Sequence, residues 1–319
     1  MNRRAFLAAV PAGVLTATAS AHALSLLSHK RGDSLGQWQT ITSVPTARQG
    51  VGVATLRDRF YVVGGLTPLG GALNEVYDPG FDLWFERAPM PSALDHVGAV
   101  GMGEHIYIVG GFAAGEPVSD AFEYNPLTDQ WRPIAALPIP CGALSLLAFD
   151  GKLYASGGQS LKGAVADHFR YDPQTNMWER LASLGRARSH AQAAILDGEP
   201  HIVGGRAGAS SHALDDHEVY DVFYDKWTKA APMPTARSGG AAAVLGSYLH
   251  VIGGEAGESV FFENEAFDPK SGEWTTVAAL PHPRHGTGAA VINATIYVPA
   301  GSTAPGNAEP SDLNEAFAL

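Results

Sequence analysis

Histidines and arginines recur in this chain at fixed offsets from a repeated glycine pair, and their types suit proton transfer and anion binding. The pairs begin at Gly64, Gly110, Gly157, Gly204 and Gly253, with Ala300-Gly301 in a sixth, degenerate place. Sixteen residues ahead of them stand Arg48, Leu94, Cys141, Arg188, Arg237 and Arg284. The next position holds Gln49, Asp95, Gly142, Ser189, Ser238 and His285, and the one after it Gly50, His96, Ala143, His190, Gly239 and Gly286. Directly behind the pairs come Leu66, Phe112, Gln159, Arg206, Glu255 and Ser302. A guanidinium fork binds a carboxylate at two points. An imidazole gives or takes a proton near neutral pH. Arg48, Arg188, Arg237, Arg284 and Arg206 therefore read as an anion clamp. His96, His190 and Glu255 are the acid–base candidates, with Asp95 and His285 beside them. A single histidine is more often a satisfied structural residue; the shared offsets make these a cluster.

The elements that must position these residues follow from the repeat. Six tryptophans, Trp38, Trp84, Trp131, Trp178, Trp227 and Trp274, are spaced 46, 47, 47, 49 and 47 residues apart, and each lies 26 residues before a pair position. An aromatic residue stands seven residues before the next tryptophan at Tyr77, Tyr124, Tyr171, Tyr220 and Phe267, and Phe317 takes that place in the sixth unit. Each unit reads as four short strands, a to d. In the first unit these are VGVATL, FYVV ending at Gly64-Gly65, NEVY closed by Asp78-Pro79, and LWFERA around Trp84.

Gly-Gly after an apolar strand, then Tyr-Asp-Pro, then Trp, at a period of about 47 residues, resembles the kelch repeat. The resemblance covers residues 36–319. It implies an all-β fold, a six-bladed β-propeller with four antiparallel strands per blade. Phe317 has no Trp strand after it, and Trp38 has no strands a to c before it. The strand around Trp38 is therefore expected to close the last blade.

In such a blade the b–c and d–a loops share one face. All length variation lies between the pair and the aromatic, 13, 14, 14, 16, 14 and 17 residues, so the variable b–c loops mark that face as the functional one. The recurrent arginines begin strand a, nearest the axis, and are expected to ring the channel mouth. Glu75, Glu218, Glu265 and Glu315 recur at one strand-c position and read as structural.

Composition excludes several classes. The net charge is −11 and no Lys/Arg run exists, which argues against nucleic acid. Cys141 is the single cysteine, so no intramolecular disulfide or CxxC metal site can form. His212, Asp215, Asp216 and His217 have types that suit a divalent metal, but their spacing reads as a solvated acidic loop. Neither a metal nor another cofactor is expected. Residues 1–23 open with Arg3-Arg4, continue through an uncharged apolar stretch and end in Ala21-His22-Ala23. They resemble a twin-arginine export signal, which implies a periplasmic or secreted protein with no membrane association once the signal is removed. Residues 24–35 read as a short linker.

Three functions from different classes fit a kelch propeller. The first is a binding module for an anionic small molecule, acidic glycan or acidic peptide. The second is an acidic-sugar mutarotase or epimerase, because the exported kelch propellers of N-acetylneuraminate epimerase type resemble this arrangement. The third is a copper oxidase of galactose oxidase type, which implies a crosslinked Tyr–Cys pair; no Tyr can be placed beside Cys141 at the mouth.

Overall fold

The computed structural model describes residues 36–67, 70–208 and 212–319. The expected leader and linker lie outside the described residues. Among the described residues every regular element is a β-strand. Six four-stranded antiparallel sheets form the blades of a propeller. Blade 1 runs Gly52–Leu56, Arg59–Val63, Asn74–Asp78 and Leu83–Glu86, which are its strands a, b, c and d. Blades 2 to 5 repeat that order along the chain. Blade 6 takes strands a to c from Ala290–Ile292, Thr295–Pro299 and Asn314–Ala318, and strand d from Gln37–Thr40. Trp38 pairs with Phe317, so the two ends of the ring share one sheet and no seam is left open.

Strand b is buried along most of its length, as in Arg59–Val63, because a neighbouring blade covers each of its faces; this is why it is so rich in Val and Ile. Strand d is mostly exposed and polar except for its Trp. Each Trp packs on the aromatic of strand c, with centroids 4.7 Å apart for Tyr124–Trp131 and 5.1 Å for Trp38–Phe317. Its indole N–H donates to a carbonyl leaving the preceding blade: Trp131 to Ala88 at 2.8 Å, Trp38 to Ala278 at 2.8 Å. The aromatic side chains thus weld strand to strand, and the indole N–H welds blade to blade.

The glycine pairs mark where one blade's backbone meets the next. A Cβ on Gly110, at φ 64°, would lie 2.2 Å from the Cys141 carbonyl oxygen of blade 3. The close approach lets Gly111 N–H donate to that same oxygen at 3.0 Å. It also delivers the residue behind each pair to the mouth.

Candidate functional site

Six residues close a ring around the axis on the b–c/d–a face. Gly50, His96, Ala143, His190, Gly239 and Gly286 each donate their N–H to the carbonyl of the preceding member, over 2.6–2.9 Å. All six are left-handed, with φ between 48° and 65°. Glycine takes that conformation freely, whereas any other residue pays about 1–2 kcal/mol. Three blades use Gly here; His96 and His190 hold the same backbone at φ 48° and 55°. Side chains kept against a local conformational cost point to a function at that spot.

The two imidazoles lie 5.2 Å apart, centroid to centroid, edge to face. His96 Nδ1 is 2.6 Å from Asp95 Oδ1, so the carboxylate fixes the proton on Nδ1. His96 Nε2 makes no hydrogen bond to any described residue. His190 is engaged at both nitrogens. Arg206 Nη2 lies 2.9 Å from Nε2. A guanidinium only donates, so Nε2 accepts, and Nδ1–H donates to Ser189 Oγ at 2.9 Å. Burial, Arg206, His96 and His285 hold His190 well below the usual imidazole value, so it stays neutral. Arg206 Nη1 continues to Glu255 Oε1 at 3.1 Å. Glu255 Oε2 accepts from Gly306 N–H at 3.0 Å and lies 3.5 Å from His285 Nε2. His285 Nε2–H donates to the Ala304 carbonyl at 2.8 Å, and burial lowers its pKa although Glu255 opposes the shift. Asp95, His96, His190, Arg206, Glu255 and His285 therefore form one arc across the mouth, contributed by blades 2, 4, 5 and 6.

Beside the arc is a cleft of about 430 Å³, walled by Phe112, Gln159, Arg206, Asp95, His96 and Asn307. His96 and Phe112 meet edge to face at 5.8 Å. Asn307 and Gly306 come from the longest b–c loop, which folds over from blade 6 toward Glu255. They were not among the expected site residues; the 17-residue pair-to-aromatic interval in that unit is the signal that could have found them. The ring carries an axial opening of about 110 Å³.

The expected ring of arginines at the mouth is corrected. Arg48, Arg188, Arg237 and Arg284 are fully buried. They turn away from the axis into their own blades, where each meets the strand-c glutamate: Arg48 with Glu75, Arg188 with Glu218 at 3.0 Å, Arg237 with Glu265 at 2.5 Å, and Arg284 with Glu315 at 2.6 Å. An uncompensated buried charge costs several kcal/mol, so each guanidinium takes the nearest acid. The signal was co-occurrence. Where the arginine is replaced by Leu94 or Cys141, the glutamate is replaced by Phe122 or Phe169.

Two further groups do not assemble into a site. His217 is buried in strand c, 2.8 Å from His201, and Asp216 pairs with Arg186. Among the described residues no group of three or more His, Cys, Asp or Glu could hold a metal ion. Cys141 is buried, its thiol pushed up to about 12 by desolvation. That makes it a packing residue rather than a nucleophile.

A family model described as the KLHDC2/KLHL20/DRC7 kelch-repeats domain matches residues 86–254, and a kelch motif model matches residues 236–281. The chain belongs to the kelch-repeat family. Kelch-like protein 23 from Pongo abelii is 37% identical over 78 residues, 24% of this chain and 13% of that protein. Kelch-like protein 34 from Homo sapiens is 31% identical over 100 residues, 27% of this chain and 16% of that one. The chain thus spans less than a fifth of the length of these curated relatives. A solved structure titled "Structure of YjhT" superposes with a TM-score of 0.75 at 17% identity, covering 86% of this chain and 95% of that one. At that identity the likeness is one of fold. Kelch propellers host unrelated functions, so function must be argued from the mouth itself.

Proposed function

We propose that this kelch propeller is a binding module whose mouth holds a small polyhydroxylated ligand, a sugar unit in size and chemistry. The observation that carries the reading is the cleft of about 430 Å³ in which the free Nε2 of His96, Asp95, Gln159, Asn307 and Arg206 face the ring of Phe112. The volume lies in the range of small-molecule sites, roughly 300–1,000 Å³. Hydroxyls both donate and accept, so a wall mixing carboxylate, amide, imidazole and guanidinium satisfies them. An aromatic face covers the C–H side of a sugar ring. The expected anionic ligand had rested on five arginines, and four of these are buried in the frame. Arg206 remains, and it already pairs with Glu255. With Asp95 and Glu255 both facing it and His190 neutral, the mouth holds one more carboxylate than cation. A neutral sugar suits that balance better than an acidic one.

The test is a thermal-shift and calorimetric series of neutral sugars, their uronic-acid counterparts and acidic peptides. Neutral sugars should raise the melting temperature by mass action. Phe112→Ala and His96→Ala should each remove the shift. Stabilisation by acidic peptides alone would overturn the proposal, and stabilisation by uronic acids alone would restore the anionic ligand.

The free Nε2 of His96, with Nδ1 held by Asp95, favours a second reading, an aldose mutarotase. The anomeric hydroxyl and the ring oxygen sit on the same carbon. The His96 imidazole can take the hydroxyl proton and, as an imidazolium steadied by Asp95, return it to the ring oxygen as the ring opens. Anomer exchange measured by NMR and slowed in His96→Ala would establish it. Export through the Arg3-Arg4 leader is part of the same proposal; a double Arg3→Lys, Arg4→Lys precursor that is processed normally would refute it.

A further inference from the structure

The opposite face, formed by the a–b and c–d turns, carries a second cleft between blades 1 and 2. It measures about 440 Å³ and is lined by Arg57, Arg59, Arg87, Tyr61, Pro126 and Leu127. Two of its arginines break the repeat. At the position of Arg87 the other five units place Ile41, Ile134, Leu181, Ala230 and Val277, all apolar residues suited to an inter-blade gap. Arg87 Nε is buried there without a hydrogen-bond partner, and its guanidinium forms no ion pair among the described residues. Arg57 sits at φ 58° at the tip of the a–b turn. The equivalent left-handed positions hold Gly103, Asp150, Asp197, Gly246 and Asn293, the residue types that tolerate this conformation. An arginine in a gap built for a methyl-bearing side chain and an arginine on a backbone that disfavours it both face one cleft.

The charges define what would fit. Arg59 is held by Asp78, with Nε and Nη2 2.8 and 2.7 Å from Oδ2. Arg57 pairs with Glu104, but both side chains are about two-thirds exposed, so the pair contributes little and exchanges readily. Asp58 stands at the rim and forms no ion pair among the described residues. Arg87 forms no ion pair among the described residues, and Asp129 is the acid that acts on it electrostatically. Burial raises the pKa of the Tyr61 hydroxyl, while Arg87, Arg59 and Arg57 oppose that shift and Asp129 adds to it, so three cations and one acid act on one spot. Pro126 and the 94%-exposed Leu127 supply an apolar wall.

We propose that this cleft is a second binding site, distinct from the mouth, for a small organic monoanion: a carboxylate gripped by the Arg87 fork, with Arg57 beside it, and an apolar or aromatic body against Leu127, Pro126 and Tyr61. The acids Asp58 and Glu104 in the lining, with Asp129 close by, offset the positive charge of the arginines, which fits a carboxylate and disfavours a dianion.

Titration calorimetry with benzoate, phenyl phosphate and benzyl alcohol tests the assignment. Benzoate should saturate with a dissociation constant near 1 mM, a range of about −4 kcal/mol expected of a fragment. Phenyl phosphate and benzyl alcohol should bind at least about tenfold more weakly. Arg87→Leu, which copies Leu181 of blade 3, should keep or raise the melting temperature and lose benzoate binding by a similar factor. Arg57→Gly should weaken benzoate less. His96→Gly, at the mouth, should leave it unchanged, so failure here and failure of the sugar reading are separable. The site is refuted if benzoate shows no saturable binding, if Arg87→Leu binds it as well as the parent, or if benzyl alcohol binds equally. Phenyl phosphate binding at least as tightly as benzoate would overturn the monoanion assignment.

Discussion

Blades 1, 4, 5 and 6 differ from blades 2 and 3 in how they fill one position of the same frame. The first four bury an Arg–Glu pair, while the other two bury Leu94 on Phe122 and Cys141 on Phe169. Both solutions support strands of the same length and register. Neither half of the ion pair appears without the other. This is the pattern expected when a buried pair is near break-even against an apolar substitute, while half a pair is strongly unfavourable. The pair also has a geometric use. Arg237 donates to the Thr235 and Val251 carbonyls at 3.0 and 2.9 Å, tying the incoming loop to strand b. In blade 2 packing replaces that tie, and in blade 3 the Cys141 thiol adds a weak hydrogen bond to the Gly157 carbonyl at 3.5 Å.

Breaking one pair gives the largest expected effect. Arg237→Leu leaves Glu265 buried and unpaired and should cost about 3–5 kcal/mol in chemical denaturation. Arg237→Leu with Glu265→Phe, which copies Leu94 and Phe122, should recover most of that loss. Equal stability of the single variant and the parent would show that the two kinds of blade do not differ in the way described.

Acid sharpens the comparison, because blade 4 is the least satisfied of the four ion-paired blades. The Arg188 guanidinium lies 3.0 Å from Glu218 yet makes no hydrogen bond, and Glu218 instead accepts from the Gly185 N–H at 2.8 Å. Behind it sits the buried His201–His217 pair, 2.8 Å apart. Burial pushes both histidines down to about 4, and His168 of blade 3 likewise. A folded-state value below the unfolded one means that the unfolded chain binds protons first as pH falls. Stability should therefore be undiminished above about pH 6.5 and should fall between there and pH 4, by up to about 3 kcal/mol per histidine. At the strand-c position of His168 and His217, blades 1, 5 and 6 carry Asn74, Asn264 and Asn314. His217→Asn should flatten the pH dependence between pH 6.5 and 4. An unchanged slope of melting temperature against pH in that variant would contradict the account.

The ring itself was legible because its determinants are local and repeated. Tyr124 reaches Trp131 across one turn, and Trp38 reaches Phe317 by the same rule applied to the two ends. His96, His190, Arg206 and Glu255 were legible for a related reason: a common offset from the glycine pair delivers them to one mouth. Offset alone does not say where a long side chain points. Arg188 and His190 are two residues apart, yet one is buried within blade 4 and the other opens on the axis. Direction depends on the partner, and the partner of Arg188 lies 30 residues on, at Glu218. Arg57 and Arg87 lie on the far face, away from the variable loops that drew attention to the mouth.

The smallest expected effect separates frame from site. In the frame, a departure from the repeat such as Leu94 with Phe122 is compensated by its neighbour. At the mouth, His96 departs from the glycine of blades 1, 5 and 6 with no such compensation to its backbone at φ 48°. His96→Gly should therefore stabilise the fold by about 1 kcal/mol, the gain from relieving a left-handed non-glycine residue, less the entropy that a glycine adds to the unfolded chain. The same variant loses Nε2 and its edge contact with Phe112 and should bind sugar at least about tenfold more weakly. A structural residue loses stability when it is removed; a residue held for its ligand loses binding and returns stability. Gly50→Ala is the reciprocal probe. A Cβ there would lie 2.6 Å from the His96 ring, so the variant should displace the imidazole and weaken binding with His96 still present. If His96→Gly melts below the parent and binds sugar unchanged, His96 belongs to the frame, and the mouth has to be read from Arg206 and Glu255 instead.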